Sequence, residues 1–283
     1  MNINTVMVVG AGQMGGGIAQ VMAQAGMATV LHDVEKHIVD KSLAAIDRNL
    51  ARSVEKGRMT ETDRQAARGR ITASDRLADA AGCDLVIEAV VENKNVKAQI
   101  FGELDRICPP HVILASNTSS VPITEIAAAT RRPEKVVGMH FMNPAPVMKL
   151  VEIIRGIATD DAVYRTIADL TLQLEKIPVE VRDVPGFVSN RVLQVMINEA
   201  VFCLYEGVAS VEGIDNVMKL GMNHSMGPLA TADLIGLDTV LSILQVLYEG
   251  YSDSKYRPCP LLRQYVYAGW LGKKSGKGFY TYT

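Results

Sequence analysis

At 283 residues, 48% of them hydrophobic, the chain is long enough to build two domains with cores of their own. Its 29 basic and 31 acidic side chains leave a formal charge of -2, which gives no sequence-wide reason to expect nucleic acid or an anionic membrane as a partner. The four cysteines, Cys83, Cys108, Cys203 and Cys259, show neither C-x-x-C spacing nor a regular framework, so neither a disulfide scaffold nor a metal site is expected, and they suit a reducing cytoplasm.

In chain order, the first predicted element is the strand-like run Thr5-Val-Met-Val-Val9. It begins so early that no signal peptide is expected, and no uninterrupted apolar stretch is long enough to span a bilayer. Gly10-Ala11-Gly12-Gln13-Met14-Gly15 follows it and opens a helical segment, the context a dinucleotide fingerprint requires. Its glycines serve separate needs: a tight turn, close approach of backbone to pyrophosphate, and close packing of helix on strand. The next run, Thr29-Val-Leu-His-Asp33, ends in an acid 23 residues after Gly10, near the usual spacing of about 20. A carboxylate there bonds a ribose 2′-hydroxyl and repels a 2′-phosphate, so NAD is expected rather than NADP. His32 reads as a local turn residue with no tie to chemistry.

Residues 36–70 hold nine basic and five acidic residues, a local excess of +4. If Lys41 to Lys56 is helical, Lys41, Arg48, Arg52 and Lys56 share one face and Leu43, Leu50 and Val54 the other. Such a face is usually solvated; the sharper alternative is a seat for a phosphorylated substrate handle.

Further strand-like runs occur at Asp84 to Ala89, Val112 to Ala115, Val136 to Met139 and Leu150 to Ile154, alternating with longer amphipathic segments. The alternation predicts an α/β fold: a Rossmann-type, doubly wound, mostly parallel sheet with crossover helices. His140 stands at the end of one run and Glu152 on the next, where a hairpin-like return would bring the carboxylate beside the imidazole. Such a pair can accept a proton near neutral pH, although a histidine ending a strand serves structure more often than catalysis. Beyond Pro185-Gly186 the pattern turns helical, with Leu193, Met196, Ile197, Ala200, Val201 and Leu204 at three- and four-residue steps. More helices are expected over Val211 to Leu220, where Ser210 can cap, from near Pro228, and over Leu261 to Leu271. The expected division is a dinucleotide-binding domain over 1–184 and a smaller all-helical domain over 185–283.

Together these residues resemble the 3-hydroxyacyl-CoA dehydrogenase family across essentially the whole chain. The markers are Gly10 to Gly15, Asn117-Thr-Ser-Ser120, His140-Phe-Met-Asn-Pro144, Val151-Glu-Ile153, Pro185-Gly-Phe-Val-Ser-Asn-Arg191 and the run from Gly272 to Tyr280. Met142 and Ser189 depart mildly from the family's usual residues, and neither departure removes a reacting group. The resemblance implies NAD-linked interconversion of a short (S)-3-hydroxyacyl-CoA and its 3-oxoacyl-CoA. It implies His140 as the general base or acid, Glu152 as its orienting partner, and Ser119 and Asn190 as polar contacts to the reacting oxygen and thioester region. It further implies cofactor contacts from Glu92, Lys97, Ser119, Asn143 and Lys274, and a CoA contact from Lys56, with Arg52 beside it. A homodimer is expected as well. The competing readings are a related dehydrogenase of a free hydroxy acid or sugar acid, since fold alone does not choose a substrate, and a nucleotide-binding protein without turnover.

Overall fold

The computed structural model describes residues 2–282, which fall into two compact units that divide between Asp183 and Val184. The first is built on an eight-stranded sheet in the order β3-β2-β1-β4-β5-β6-β7-β8: β1 (Thr5–Val9), β2 (Ala28–His32), β3 (Ile71–Ser74), β4 (Leu85–Glu88), β5 (Ile113–Ser116), β6 (Val136–Phe141), β7 (Leu150–Arg155) and β8 (Ile177–Arg182). All neighbouring strands pair in parallel except β6 and β7. In β4, β5 and β6 every residue is buried, as continuous apolar runs covered on both faces should be. The strand order reverses between β1 and β4, where a doubly wound sheet opens its ligand crevice.

The helices of this unit are α1 (Gln13–Gln24), α2 (Lys36–Glu55), α3 (Glu61–Gly69), α4 (Lys94–Ile107), α5 (Ile123–Ala127) and α6 (Asp161–Gln173). On α2 the buried residues Val39, Ser42, Ile46 and Leu50 recur at three- and four-residue steps, which turns the opposite, cationic face to solvent. Helix α3 starts at a capping box made by Thr60 and Asp63, and α4 at Asn93, whose side chain accepts from Asn95 and Val96 N–H. His32 is the last residue of β2 and is buried, so it belongs to the strand rather than to a turn.

The second unit is helical: α7 (Ser189–Tyr205), α8 (Val211–Asn216), α9 (Pro228–Ile235), α10 (Leu237–Tyr251) and α11 (Pro260–Tyr267). Ser210 accepts from the Gly213 N–H at 3.1 Å and so caps α8 without a capping box. What reads as one apolar run from Pro228 is two helices bent by 98° at Gly236, whose φ of +102° favours glycine. Ile197, Val201, Leu229, Leu237, Val240 and Leu244 form the unit's core. Met196 stays outside that core, and Val195 packs against it instead. Among the described residues no single helix is long and apolar enough to cross a membrane.

Candidate active site

The glycine-rich turn after β1 has a shape that larger residues would break. Gly10 has φ +100°, donates its N–H to the His32 carbonyl at 2.8 Å, and lies so near Ala89 that a Cβ would stand 2.6 Å from that carbonyl oxygen. A Cβ on Gly15 would stand 1.7 Å from the Gly10 oxygen, so helix and turn close on each other through this residue. Gly12 faces open space and precedes α1 without a side-chain cap, so the first backbone N–H groups of α1 are available to an anion. Asp33 Oδ2 accepts the Ala11 N–H at 2.9 Å, placing its carboxylate against this turn. A cavity of about 600 Å³ beside it is lined by Gly10, Gly12, Asp33, Asp75 and Val90. A backbone cradle open at Gly12, a helix amino terminus and an adjacent carboxylate together fit a dinucleotide.

Three strands from β1 across the sheet, His140 and Glu152 face each other across the antiparallel β6–β7 ladder. Directly opposed positions bring their side chains together, and His140 Nδ1 lies 2.8 Å from Glu152 Oε2. Both are buried. The loop that joins them carries Asn143, whose Oδ1 accepts from Gln13 Nε2 of the glycine-rich turn at 3.3 Å. This loop therefore links the His140–Glu152 pair to the glycine-rich turn.

A second charged cluster lies at the ends of β4 and β5. Glu88, fully buried, accepts from Val90 N–H at 2.7 Å and Lys97 Nζ at 2.8 Å through Oε1, and from Ser116 Oγ at 2.6 Å through Oε2. Lys97 also pairs with Glu92 Oε2 at 3.1 Å. Glu92 Oε1 in turn gathers the Thr118 hydroxyl, the Ser119 N–H and both the N–H and hydroxyl of Ser120. Burial alone would push the Glu92 carboxyl up, but Lys97 and the hydroxyls of Thr118 and Ser120 outweigh it and hold it below the usual carboxylate range. The chain of contacts thus runs from a strand end to the backbone of Ser119.

Lys97 reads as a solvated surface lysine by charge pattern alone; it is instead almost wholly buried between two carboxylates. Glu88 and Ser116 were not singled out in the sequence, although a carboxylate that closes the apolar run Leu85-Val-Ile-Glu88 is a visible signal. On α2 the cationic face is exposed, and Lys41 lines a cavity of about 580 Å³ with Gly12, Gly17, Asn49, Asn143 and Pro146. Arg52 and Lys56 lie beyond that lining, at the carboxyl end of the helix. In the second unit, Asn190 lies in the first turn of α7. There Lys274 donates to Asp238 Oδ2 at 2.8 Å, on a carboxyl-terminal segment that Asp233 pins through the N–H groups of Phe279 and Tyr280.

Comparison with known proteins follows the same division. Residues 5–184 match the family description "3-hydroxyacyl-CoA dehydrogenase, NAD binding domain", and residues 186–282 match "3-hydroxyacyl-CoA dehydrogenase, C-terminal domain". A Bacillus subtilis protein named "Probable 3-hydroxybutyryl-CoA dehydrogenase" is 60% identical over 100% of this chain and 98% of its own length. The 3-hydroxybutyryl-CoA dehydrogenase of Bradyrhizobium diazoefficiens is 55% identical over 99% of this chain and 96% of its own. The crystal structure of (S)-3-hydroxybutyryl-CoA dehydrogenase from Ralstonia eutropha superposes with a TM-score of 0.98 at 48% identity, covering 100% of both chains. With an NAD-binding domain and a carboxyl-terminal domain both matched, this chain belongs to the 3-hydroxyacyl-CoA dehydrogenase family.

Proposed function

We propose that this enzyme reversibly interconverts (S)-3-hydroxybutyryl-CoA and acetoacetyl-CoA with NAD as the hydride partner. The observation that carries the reading is the 2.8 Å contact between His140 Nδ1 and Glu152 Oε2, near the carboxyl end of β6, with the glycine-rich turn at the carboxyl end of β1 in the same sheet. An ionised carboxylate only accepts hydrogen bonds, so Nδ1 keeps its hydrogen and Nε2 bears the basic lone pair. In oxidation the 3-hydroxyl gives its proton to His140 while the hydrogen on C3 departs as hydride and the C–O bond becomes a carbonyl. NAD, when bound, supplies the ring that takes up or returns that hydride. Glu152 fixes the imidazole and stabilises the imidazolium that forms; in reduction the same ring returns the proton.

Ser119 and Asn190 are assigned to hold the reacting oxygen and thioester region, where polar donors stabilise developing charge. Gly10 to Gly15, Asp33, Glu92, Asn143 and Lys274 are assigned to the cofactor, with Lys97 contributing by holding Glu92. The cavity along α2 suits the CoA handle, with Lys41 in its wall and Arg52 and Lys56 continuing the cationic face toward the phosphates. The second unit, with Val188, Val192, Leu220 and Tyr267 exposed, is assigned to completing the substrate site and to homodimer formation. A cytoplasmic setting suits the four free cysteines.

The test follows NADH absorbance with acetoacetyl-CoA, longer 3-oxoacyl-CoAs and free acetoacetate, with NADPH as the cofactor control. The reading expects turnover of acetoacetyl-CoA with NADH. Turnover of the free acid alone would replace it with the reading as a dehydrogenase of free hydroxy acids.

A further inference from the structure

The loop that connects His140 to Glu152 is held from two sides. On one side Ala145 and Pro146 press on α1, where a Cβ added to Gly17 would come within 3.2 Å of Pro146 Cδ and 3.3 Å of Ala145 Cβ. On the other side stands Lys176, which precedes β8 and is only 5% exposed. Its Nζ donates to the carbonyls of Ala145 and Met148, both at 2.7 Å. The backbone adds to the clamp, since the Ile177 N–H donates to the Lys149 carbonyl at 2.7 Å. Burial, and then the charge of Lys149, push the Lys176 ammonium below the ordinary lysine range. A cation kept in such a place needs its carbonyl partners, and the carbonyls of an irregular loop need a donor.

We propose that Lys176 is a positioning residue for the acyl-CoA site, its buried ammonium holding the 143–149 loop as a wall of the cavity along α2. Asn143, Pro144, Ala145 and Pro146 all line that cavity, so a shift of the loop alters where the CoA handle lies and how Asn143 meets Gln13. His140 and Glu152 are held separately, by the β6–β7 ladder. Lys176 therefore acts on substrate binding more than on the proton transfer. This role rests on the acyl-CoA reading above, while the clamp itself does not.

The experiment combines two readouts on K176M, which keeps the stem and removes the cation. Amide hydrogen exchange on the ligand-free protein should show Val147 and Met148, whose N–H groups donate to the Pro144 carbonyl at 3.0 Å, exchanging about tenfold or more faster while β6 amides hold their rates. In steady state, KM for acetoacetyl-CoA should rise about tenfold with kcat within about twofold of the parent. G17A disturbs the same loop from its opposite side and should move KM in the same direction. The double variant should cost less than the product of the two single effects. If K176M does not fold, G17A carries the test alone, since KM unmoved by its Cβ would overturn the loop's role in binding. Unchanged exchange at Val147 and Met148 in K176M would overturn the clamp. Faster exchange with unchanged KM, or a fall in kcat with KM unmoved, would overturn its role in substrate binding. An unmodified protein inert toward acetoacetyl-CoA would sink the functional reading and leave the exchange result to decide the clamp.

Discussion

Two ionic groupings stand on one sheet and are built differently. Glu88, Lys97 and Glu92 are held together by groups from the turn after β4, from α4, from β5 and from the Thr118 to Ser120 segment. The hydrogen bond between His140 and Glu152, in contrast, is made by strand register, between two side chains directly opposed on β6 and β7. The first arrangement suits charges that stay as they are and hold a loop in place. The second suits the proton transfer proposed for His140. The difference lies in the supporting elements: separate loops and helices gather round the first grouping, while the ladder between two strands sets the second.

The comparison breaks most readily at Lys97. In K97M the buried Glu88 loses its cation, which should cost about 3–5 kcal/mol in stability, read as a lower urea midpoint at constant slope. E152Q removes one charge-assisted bond from the other grouping and should cost about 1.5–3 kcal/mol of transition-state stabilisation, roughly 10- to 150-fold in kcat, with a much smaller change in urea midpoint. If E152Q lost stability as K97M does and kept its kcat, the two groupings would be of one kind. The smallest effect concerns acid. The Glu92 carboxyl is held below its ordinary value, so it stabilises the fold above about pH 4.3 and loses that contribution as pH falls through its lowered folded value. Without Lys97 the largest downward pull is gone, so the acid-linked loss in K97M should be shallower than in the parent protein.

Much of this was legible in the sequence because parallel strands covered on both faces leave continuous apolar runs, as in Val6 to Val9 and Val136 to Met139. The strands β3 and β8 were not, since Ile71–Ser74 and Ile177–Arg182 lie at the sheet's two edges and expose half or more of their residues, leaving no buried apolar run to find. The break between α9 and α10 was missed because hydrophobicity continues through Gly236 while the backbone turns. The glycine-rich turn and Asp33 could be read from spacing, since local chain geometry places both. The partners of Glu88 and Lys176 could not, for the fold brings them from other strands and loops: Ser116 lies 28 residues from Glu88, and Ala145 lies 31 from Lys176. Asn190 and Lys274 came from family resemblance: Asn190 lies in the first turn of α7, and Lys274 pairs with Asp238.

The central claim is that His140 handles the proton while the glycine-rich turn holds the cofactor independently. It is tested most directly by H140A, assayed for acetoacetyl-CoA reduction with and without added imidazole, with NADH affinity measured on the same samples. NADH affinity should be unchanged, kcat should fall about 10²- to 10⁴-fold, and imidazole should restore part of it in a concentration-dependent way. A kcat equal to that of the unmodified protein would contradict the account.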